Sequence, residues 1–535
     1  MRERAGAVGV VVAVLVLVAG GCVAGGGERG SRASPVPASS APRDPQQRGV
    51  PELPAVIAGQ QLAWEACSAE DAGRAGATLR RDADCSWLTV PVDYGAPGEQ
   101  IIRLRVARVR AAGAQRLGSL VFNPGGPGEA GAAMVAGGVF EATARVMDRY
   151  DLVGFDPRGI GRSAPLKCPQ GAGGDLIPRT REEVDAEFRA AAEQGENCRK
   201  ASGALLAHMD TVSVARDLDV LRAALGESRL HYLGISYGTY IGQHYAHLFP
   251  GRVGRFVLDG VVDPATDQTQ TARNDVKSLD DSFASYARAC AALHCPLGGT
   301  SEEIVARTTA FVRDLDAHPV PAPEGGRLTT GLAVQGIRAP LYQSDRWPDL
   351  TRALVEAMAG RPGALIALAV EQVQVQTQTS EGSDKSNKAA SGNRAPVDPT
   401  MARNAVDCLD KPGPRSAAEL LADLGEFERT SPLFGATVAA AMFHCAAWPL
   451  APTGRAEPLT APGAPAMVLV SWAVDPATPL SNAEAVRRNL RTASLVVRGG
   501  TGHSAYASGS GCTDRAVDEF LVGGRLPPTK AECSA

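Results

Sequence analysis

The sequence predicts an α/β domain built on a mostly parallel sheet, with helices on both faces and a helical segment inserted over one edge. Three observations predict it. Short apolar runs ending in glycine-rich or Asp-Pro turns recur at 117–122, 150–155, 230–233, 255–262, 466–471 and 494–497, and runs of this length bounded by turn residues read as buried strands. A helix-period segment precedes the third of them, with Val214, Leu218, Leu221 and Leu225 on one face. From 263 to 435 the strand signal disappears and Ala/Asp/Arg-rich helical segments replace it, as expected of an insertion into an alternating α/β chain.

The chain has 535 residues and a formal net charge of -4. That length holds several domains, or one large domain with an insertion. Binding phosphate backbones takes concentrated positive charge, so nucleic acid is set aside as a partner. The N-terminus carries Arg2 and Arg4, an unbroken apolar or glycine run from Ala7 to Gly21, and then Cys22. The run is short for a membrane span and fits a secretory signal over residues 1–21. Small residues directly before Cys22 match a bacterial lipoprotein signal, although Ala19 stands where such signals usually carry leucine. The expectation is an exported protein, either held at the cell surface by lipid at Cys22 or simply secreted, with no other link to a membrane. Residues 22–60, rich in Gly, Ser, Pro and Arg, read as a flexible tether.

Eleven cysteines leave ten after Cys22. An even number outside a reducing cytosol suggests disulfides. Ten cysteines allow roughly 945 pairings, but their clustering in sequential twos favours Cys67 with Cys85, Cys168 with Cys198, Cys290 with Cys295, Cys408 with Cys445, and Cys512 with Cys533. Residues five apart in a continuous helix lie about 8.6 Å apart, beyond disulfide reach. A Cys290–Cys295 bond therefore requires the helix to break near His294. No CxxC or HxxxH spacing points to a metal.

Residues 87–110 give two strands around a Gly/Pro turn. In the second, 101–109, Ile102, Leu104 and Val106 alternate with Arg103 and Arg105, the pattern of an antiparallel strand with one wet face. The run 117–122 feeds Asn123-Pro124-Gly125-Gly126-Pro127-Gly128, and such a loop can turn backbone N–H groups toward an anion. It is not a phosphate loop, because no Gly-Lys-Ser/Thr follows. Strand 150–155 ends in Asp156-Pro157-Arg158-Gly159-Ile160-Gly161-Arg162-Ser163, whose charges are expected to brace a tight turn. The strand at 230–233 leads to Gly234-Ile235-Ser236-Tyr237-Gly238 and a helix-compatible run stopping at Pro250. A serine on a sharp strand-to-helix turn has a strained backbone and needs small residues two positions away on either side, which the two glycines supply. The sheet domain spans 61–262 and resumes at 436–535. Between them, 263–435 is expected to form a helical cap, with a polar surface loop at 377–399.

Ser236, Asp475 and His503 each follow a separate strand, and parallel strands place their C-terminal ends along one edge. A serine hydroxyl attacks only when a base takes its proton. His503 is suited to do so, with Asp475 fixing its tautomer and stabilising the imidazolium. Asp259 and Asp263 are rivals for the acid. The elbow GISYG, the loop NPGGPG, and the segments GFDPRGIGRS, VLDGVVDP, DPATP and GTGHS together resemble the secreted tripeptidyl aminopeptidases of actinobacteria. These are serine hydrolases of the α/β-hydrolase fold, related to proline iminopeptidases. The resemblance implies that fold with a cap, Ser236, Asp475 and His503 as catalytic triad, and oxyanion donors from the Tyr237 amide and the Gly125/Gly126 loop. Related iminopeptidases open this loop with His-Gly-Gly, where this chain has Asn123-Pro124 ahead of its glycines. It also implies release of tripeptides from peptides with a free N-terminus, through an acyl-enzyme and with neither cofactor nor metal. An esterase or other non-peptide hydrolase is the alternative, since a triad does not choose its acyl group. A solute-binding lipoprotein gives no reason for three such residues to follow successive strands.

Overall fold

The computed structural model describes residues 52–73, 78–169, 177–322, 326–377 and 399–534. The expectations for the signal 1–21, for lipid at Cys22 and for the loop between Thr377 and Pro399 lie outside the described residues. Strands form at β1 (Glu65–Ala66), β2 (Ala83–Pro91), β3 (Ile101–Val109), β4 (Gly118–Asn123), β5 (Tyr150–Phe155), β6 (Leu230–Ile235), β7 (Val253–Asp259), β8 (Val320–Pro321), β9 (Arg327–Leu328), β10 (Val468–Val474), β11 (Ser494–Thr501) and β12 (Lys530–Cys533). Ten of them make one sheet in the order β1-β2-β3-β5-β4-β6-β7-β10-β11-β12. The first three strands and β5 pair antiparallel. From β5 to β12 every pairing is parallel.

Both faces are covered, which is why these strands are continuously apolar rather than alternating. Along β6, Tyr232 enters one core and Leu233 the other; along β7, Phe256 and Leu258 oppose Val257. Helices Thr211–Ala224 and Tyr237–Leu248 bring Val214, Leu218, Ile241 and Tyr245 to the first core. Helices Gly131–Ala136 and Gly511–Gly523 bring Val135, Val517 and Phe520 to the second. This is the α/β-hydrolase arrangement, with the order reversing at β4 beside β6.

Between β7 and β10 the chain leaves the sheet. Helices Gln268–Ala292, Ser301–Asp314, Thr330–Leu341 and Trp347–Met358 close around their own core of Leu279, Phe283, Ile337, Leu350 and Phe434. The insertion is not free of strands as expected, since β8 and β9 form a small hairpin. Helix Arg181–Ser202 is an element the sequence pattern does not predict; its Val184 packs with Leu420, Phe427 and Phe443 of the later helices.

Two other expectations need correction. Arg105 does not face water: it is 4% exposed and donates to both oxygens of buried Asp71 at 2.7 and 2.8 Å. The turn carrying Asp71 covers the later part of this strand face, from Arg105 onward, while Arg103 stays exposed as expected. The tether ends before residue 60, because Ile57 is 1% exposed in the first core and Gln60 donates to the Thr89 carbonyl. Disulfides join Cys67–Cys85, Cys168–Cys198, Cys290–Cys295, Cys408–Cys445 and Cys512–Cys533. The helix carrying Cys290 ends at Ala292, and His294 turns to φ 53°, bringing the two Cα atoms to 5.2 Å.

Candidate active site

Five adjacent parallel strands, β4, β6, β7, β10 and β11, end along one edge. Hydrogen bonds continue past their ends and lock the following loops together. Ser236 N–H donates to Asp259 O at 2.8 Å, Gly260 N–H to Val470 O at 3.0 Å, and Gly502 N–H to Val474 O at 3.1 Å.

Ser236 sits between β6 and helix Tyr237–Leu248 with φ 55° and ψ −123°, a conformation that L side chains avoid. The flanking glycines are sterically required. A Cβ on Gly234 would lie 2.4 Å from Gly238 O, and one on Gly238 would lie 2.5 Å from Asn123 O. The strand pairing Asn123↔Gly234 brings the glycine loop against this turn. A Cβ on Gly125 would come within 2.4 Å of Ile235 O and 2.9 Å of Tyr237 N.

Asp475 follows β10 and is buried, at 2% exposure. Its Oδ1 accepts the Ala477 and Thr478 amides at 2.9 and 2.8 Å, and its Oδ2 accepts the Thr478 hydroxyl at 3.0 Å. Both oxygens lie 2.9 Å from His503 Nδ1. An ionised carboxylate offers no proton, so Nδ1 carries the hydrogen and Nε2 is left as the basic nitrogen. Burial works to lower the His503 pKa, but the charge and hydrogen bond of Asp475 outweigh it and raise it above the usual value, with Arg338 opposing. A Cβ on Gly260 would lie 3.2 Å from His503 Cε1. The imidazole therefore lies against the residue next to Asp259, whose carbonyl holds the Ser236 amide.

The rival acids are engaged elsewhere. Asp259 accepts the Ala505 amide at both oxygens and the Tyr506 amide at 2.8 Å, which shapes the turn after His503. Asp263 accepts the Ala265 amide. The charges after β5 brace loops: Asp156 accepts the Ala132 and Arg162 amides, and Arg158 is buried against Asp217 and the carbonyls of Pro91, Val92 and His208.

The glycine loop departs from the expected donor set. Gly125 N–H already donates to Asn123 Oδ1 at 3.0 Å, so Gly125 supplies close approach rather than an oxyanion bond. Gly126 and Tyr237 remain with amides that have no hydrogen-bond acceptor among the described residues. Two contacts lay beyond the sequence reading. His503 N–H donates to Tyr342 O of the inserted segment at 3.1 Å, and the Tyr342 ring stands edge-on to the imidazole at 5.3 Å. Tyr237 is bound through its phenol to Asp410. No local pattern marks either, because both partners come from the insertion. Above the loop, Glu129 is half-buried, and burial pushes its carboxyl up to about 7 against the pull of Arg403.

Comparisons with known proteins follow the same lines. A family model described as "TAP-like protein" matches residues 431–533, and one described as "alpha/beta hydrolase fold" matches 118–303. The chain is 34% identical to Serine protease Hip1 of Mycobacterium tuberculosis, over 89% of this chain and 91% of that one. It is 31% identical to the Tripeptidyl aminopeptidase of Streptomyces lividans, over 92% and 90%. It is 34% identical to Carboxylesterase B of Mycobacterium tuberculosis, over 93% and 94%.

Proposed function

Because the chain belongs to the tripeptidyl aminopeptidase family of α/β-hydrolase serine enzymes, we propose that it is an exported peptidase releasing short peptides, tripeptides foremost, from free N-termini. The observation that carries this reading is the His503–Asp475 pair at 2.9 Å on the same strand edge as the strained Ser236 turn. In the proposed reaction, Ser236 Oγ attacks the peptide carbonyl while His503 Nε2 takes its proton. The Tyr237 and Gly126 amides receive the oxyanion, each worth on the order of 3 kcal/mol. His503 then protonates the departing amine, and water frees the peptide from Ser236 by the reverse relay. The residue that holds the substrate ammonium is an acid of the inserted helices. Export is supported by five disulfides, which persist in oxidising compartments; the signal at 1–21 and lipid at Cys22 complete the proposal.

The second reading, an esterase, is favoured by the similarity to Carboxylesterase B. Three substrates separate the two: a free-amine tripeptidyl anilide, its N-blocked form, and a short acyl ester. The peptidase reading expects the first to be turned over fastest and blocking to abolish turnover. Preference for the ester, with indifference to blocking, establishes the other.

A further inference from the structure

We propose that Asp410, carried by the inserted helical segment, is a positioning residue for the nucleophile turn, holding the Tyr237 amide in its oxyanion-facing direction through the Tyr237 phenol. The inference rests on the serine-hydrolase reading above. Asp410 closes helix Pro399–Asp410. Its Oδ1 accepts the Thr211 amide at 2.7 Å, and its Oδ2 accepts the Thr211 hydroxyl at 2.5 Å and the Tyr237 hydroxyl at 3.2 Å. The two hydroxyls also touch each other. Thr211 opens helix Thr211–Ala224 and Tyr237 opens helix Tyr237–Leu248, so one carboxylate from the insertion gathers the starts of two helices of the sheet domain. Asp410, Thr211 and Tyr237 are 5%, 0% and 9% exposed. Three donors converge on the Asp410 carboxyl, which burial pushes up to about 7 although the Thr211 hydrogen bonds pull it down; in its ionised form it accepts all three.

The carboxylate itself is anchored from behind. Leu409 O accepts the Thr453 and Gly454 amides at 2.9 Å each. Gly454 permits this approach, since a Cβ there would lie 2.0 Å from Asp410 O. Two residues earlier, Cys408 is bonded to Cys445. The chain between Asp410 and Ser236 is thus rigid at both ends: a fixed carboxylate, a buried ring, and then the amide directly after the nucleophile. An amide that drifts by a few tenths of an ångström weakens its bond to the transition state while leaving substrate binding nearly untouched.

The test uses the full chain and its Asp410→Ala, Asp410→Asn, Tyr237→Phe and Asp410→Ala/Tyr237→Phe variants. Each is assayed on a free-amine tripeptidyl anilide, with competent sites counted from the endpoint of fluorophosphonate labelling. Removing an oxyanion donor outright costs about 100- to 1,000-fold, so misaiming one is expected to lower kcat about 10- to 100-fold in Asp410→Ala, with KM within about threefold. The labelling rate falls in parallel. Asparagine, which keeps the shape and one acceptor, recovers most of the loss, and the double variant is no slower than the slower single. A folded Asp410→Ala enzyme with parental kcat, a loss confined to KM, or full additivity with Tyr237→Phe overturns the proposal. Tyr237→Phe, which cuts the same tie at its other end, is expected to lower kcat about 10-fold or more; should the alanine variant fail to fold, parental kcat in Tyr237→Phe overturns the proposal instead. If the parent is not labelled at Ser236, the underlying reading fails rather than this one.

Discussion

Replacing Asp475 by asparagine changes the electrostatics of the site with almost no change of shape. Asp475 Oδ1 receives two backbone amides, at 2.9 and 2.8 Å. An asparagine keeps its carbonyl there, because an NH2 group would face two donors. The NH2 then takes the Oδ2 position, 2.9 Å from His503 Nδ1; Oδ1 lies as close, but as a carbonyl its two lone pairs are already taken by the two amides. Nδ1 must accept instead of donate, the ring proton moves to Nε2, and the imidazole can no longer receive the Ser236 proton. A tautomer reversal of this kind costs on the order of 10⁴ in kcat, about 5.5 kcal/mol. The pH profile changes as well. Neutral imidazole is the active form, so activity is present above the His503 pKa and lost as pH falls through it. Asp475 holds that pKa above its ordinary value of about 6.5 despite burial. The acid limb of kcat/KM in the parent is therefore expected above that pH, and in Asp475→Asn it moves down. Rates on a tripeptidyl anilide between pH 5 and 9, per competent site, measure both effects. A variant within tenfold of the parent, with an unmoved acid limb, refutes the reasoning.

Three other perturbations have outcomes set by the geometry. Gly238→Ala places a Cβ 2.5 Å from Asn123 O and 2.9 Å from its Oδ1; the expected cost is about 1–3 kcal/mol of stability together with loss of fluorophosphonate labelling, and a fully active variant contradicts the clearance argument. Burial alone would raise the Asp71 carboxyl, but hydrogen bonds from Arg105 and Ser68 hold it well below the usual carboxylate range. A depressed folded pKa contributes stability above the unfolded value of about 4, and that contribution is lost as pH falls further. Asp71→Asn, which leaves buried Arg105 with only the exposed Glu65 carboxylate at 3.5 Å as a charge partner, is therefore expected to cost about 3 kcal/mol at pH 7 in denaturant melts, and the gap to the parent should narrow below pH 4; a constant gap argues against the pairing. Removing the Cys408–Cys445 bond with a double serine substitution opens a 37-residue separation, worth about 4 kcal/mol by chain entropy; an unchanged melt would show that other contacts already fix that helix.

The parallel strands and the Ser236 turn were legible because each is a local signal: a short apolar run, and two glycines whose absence of Cβ the turn demands. Asp475 and His503 were legible through strand order, since a parallel sheet delivers its C-terminal ends to one edge. What could not be read is set by tertiary partners. Arg103 and Arg105 look alike in sequence, yet Arg105 is buried because Asp71, thirty-four residues away, meets it. Gly125 and Gly126 look interchangeable until Asn123 Oδ1 occupies one amide. The choice between Asp259 and Asp475 turned on which loop each carboxylate caps. Asp410 and Tyr342 reach the site from the insertion, where helix periodicity shows the buried face but not the domain it docks on.

The most direct measurement of the Ser236–His503–Asp475 relay is the mass of the intact protein after a fluorophosphonate, with the modified peptide sequenced. A single adduct on Ser236 is expected, forming at parental rate only while His503 and Asp475 are both present and absent from Ser236→Ala. An adduct on another residue, or one that forms on Ser236 as fast in His503→Ala as in the parent, would contradict it.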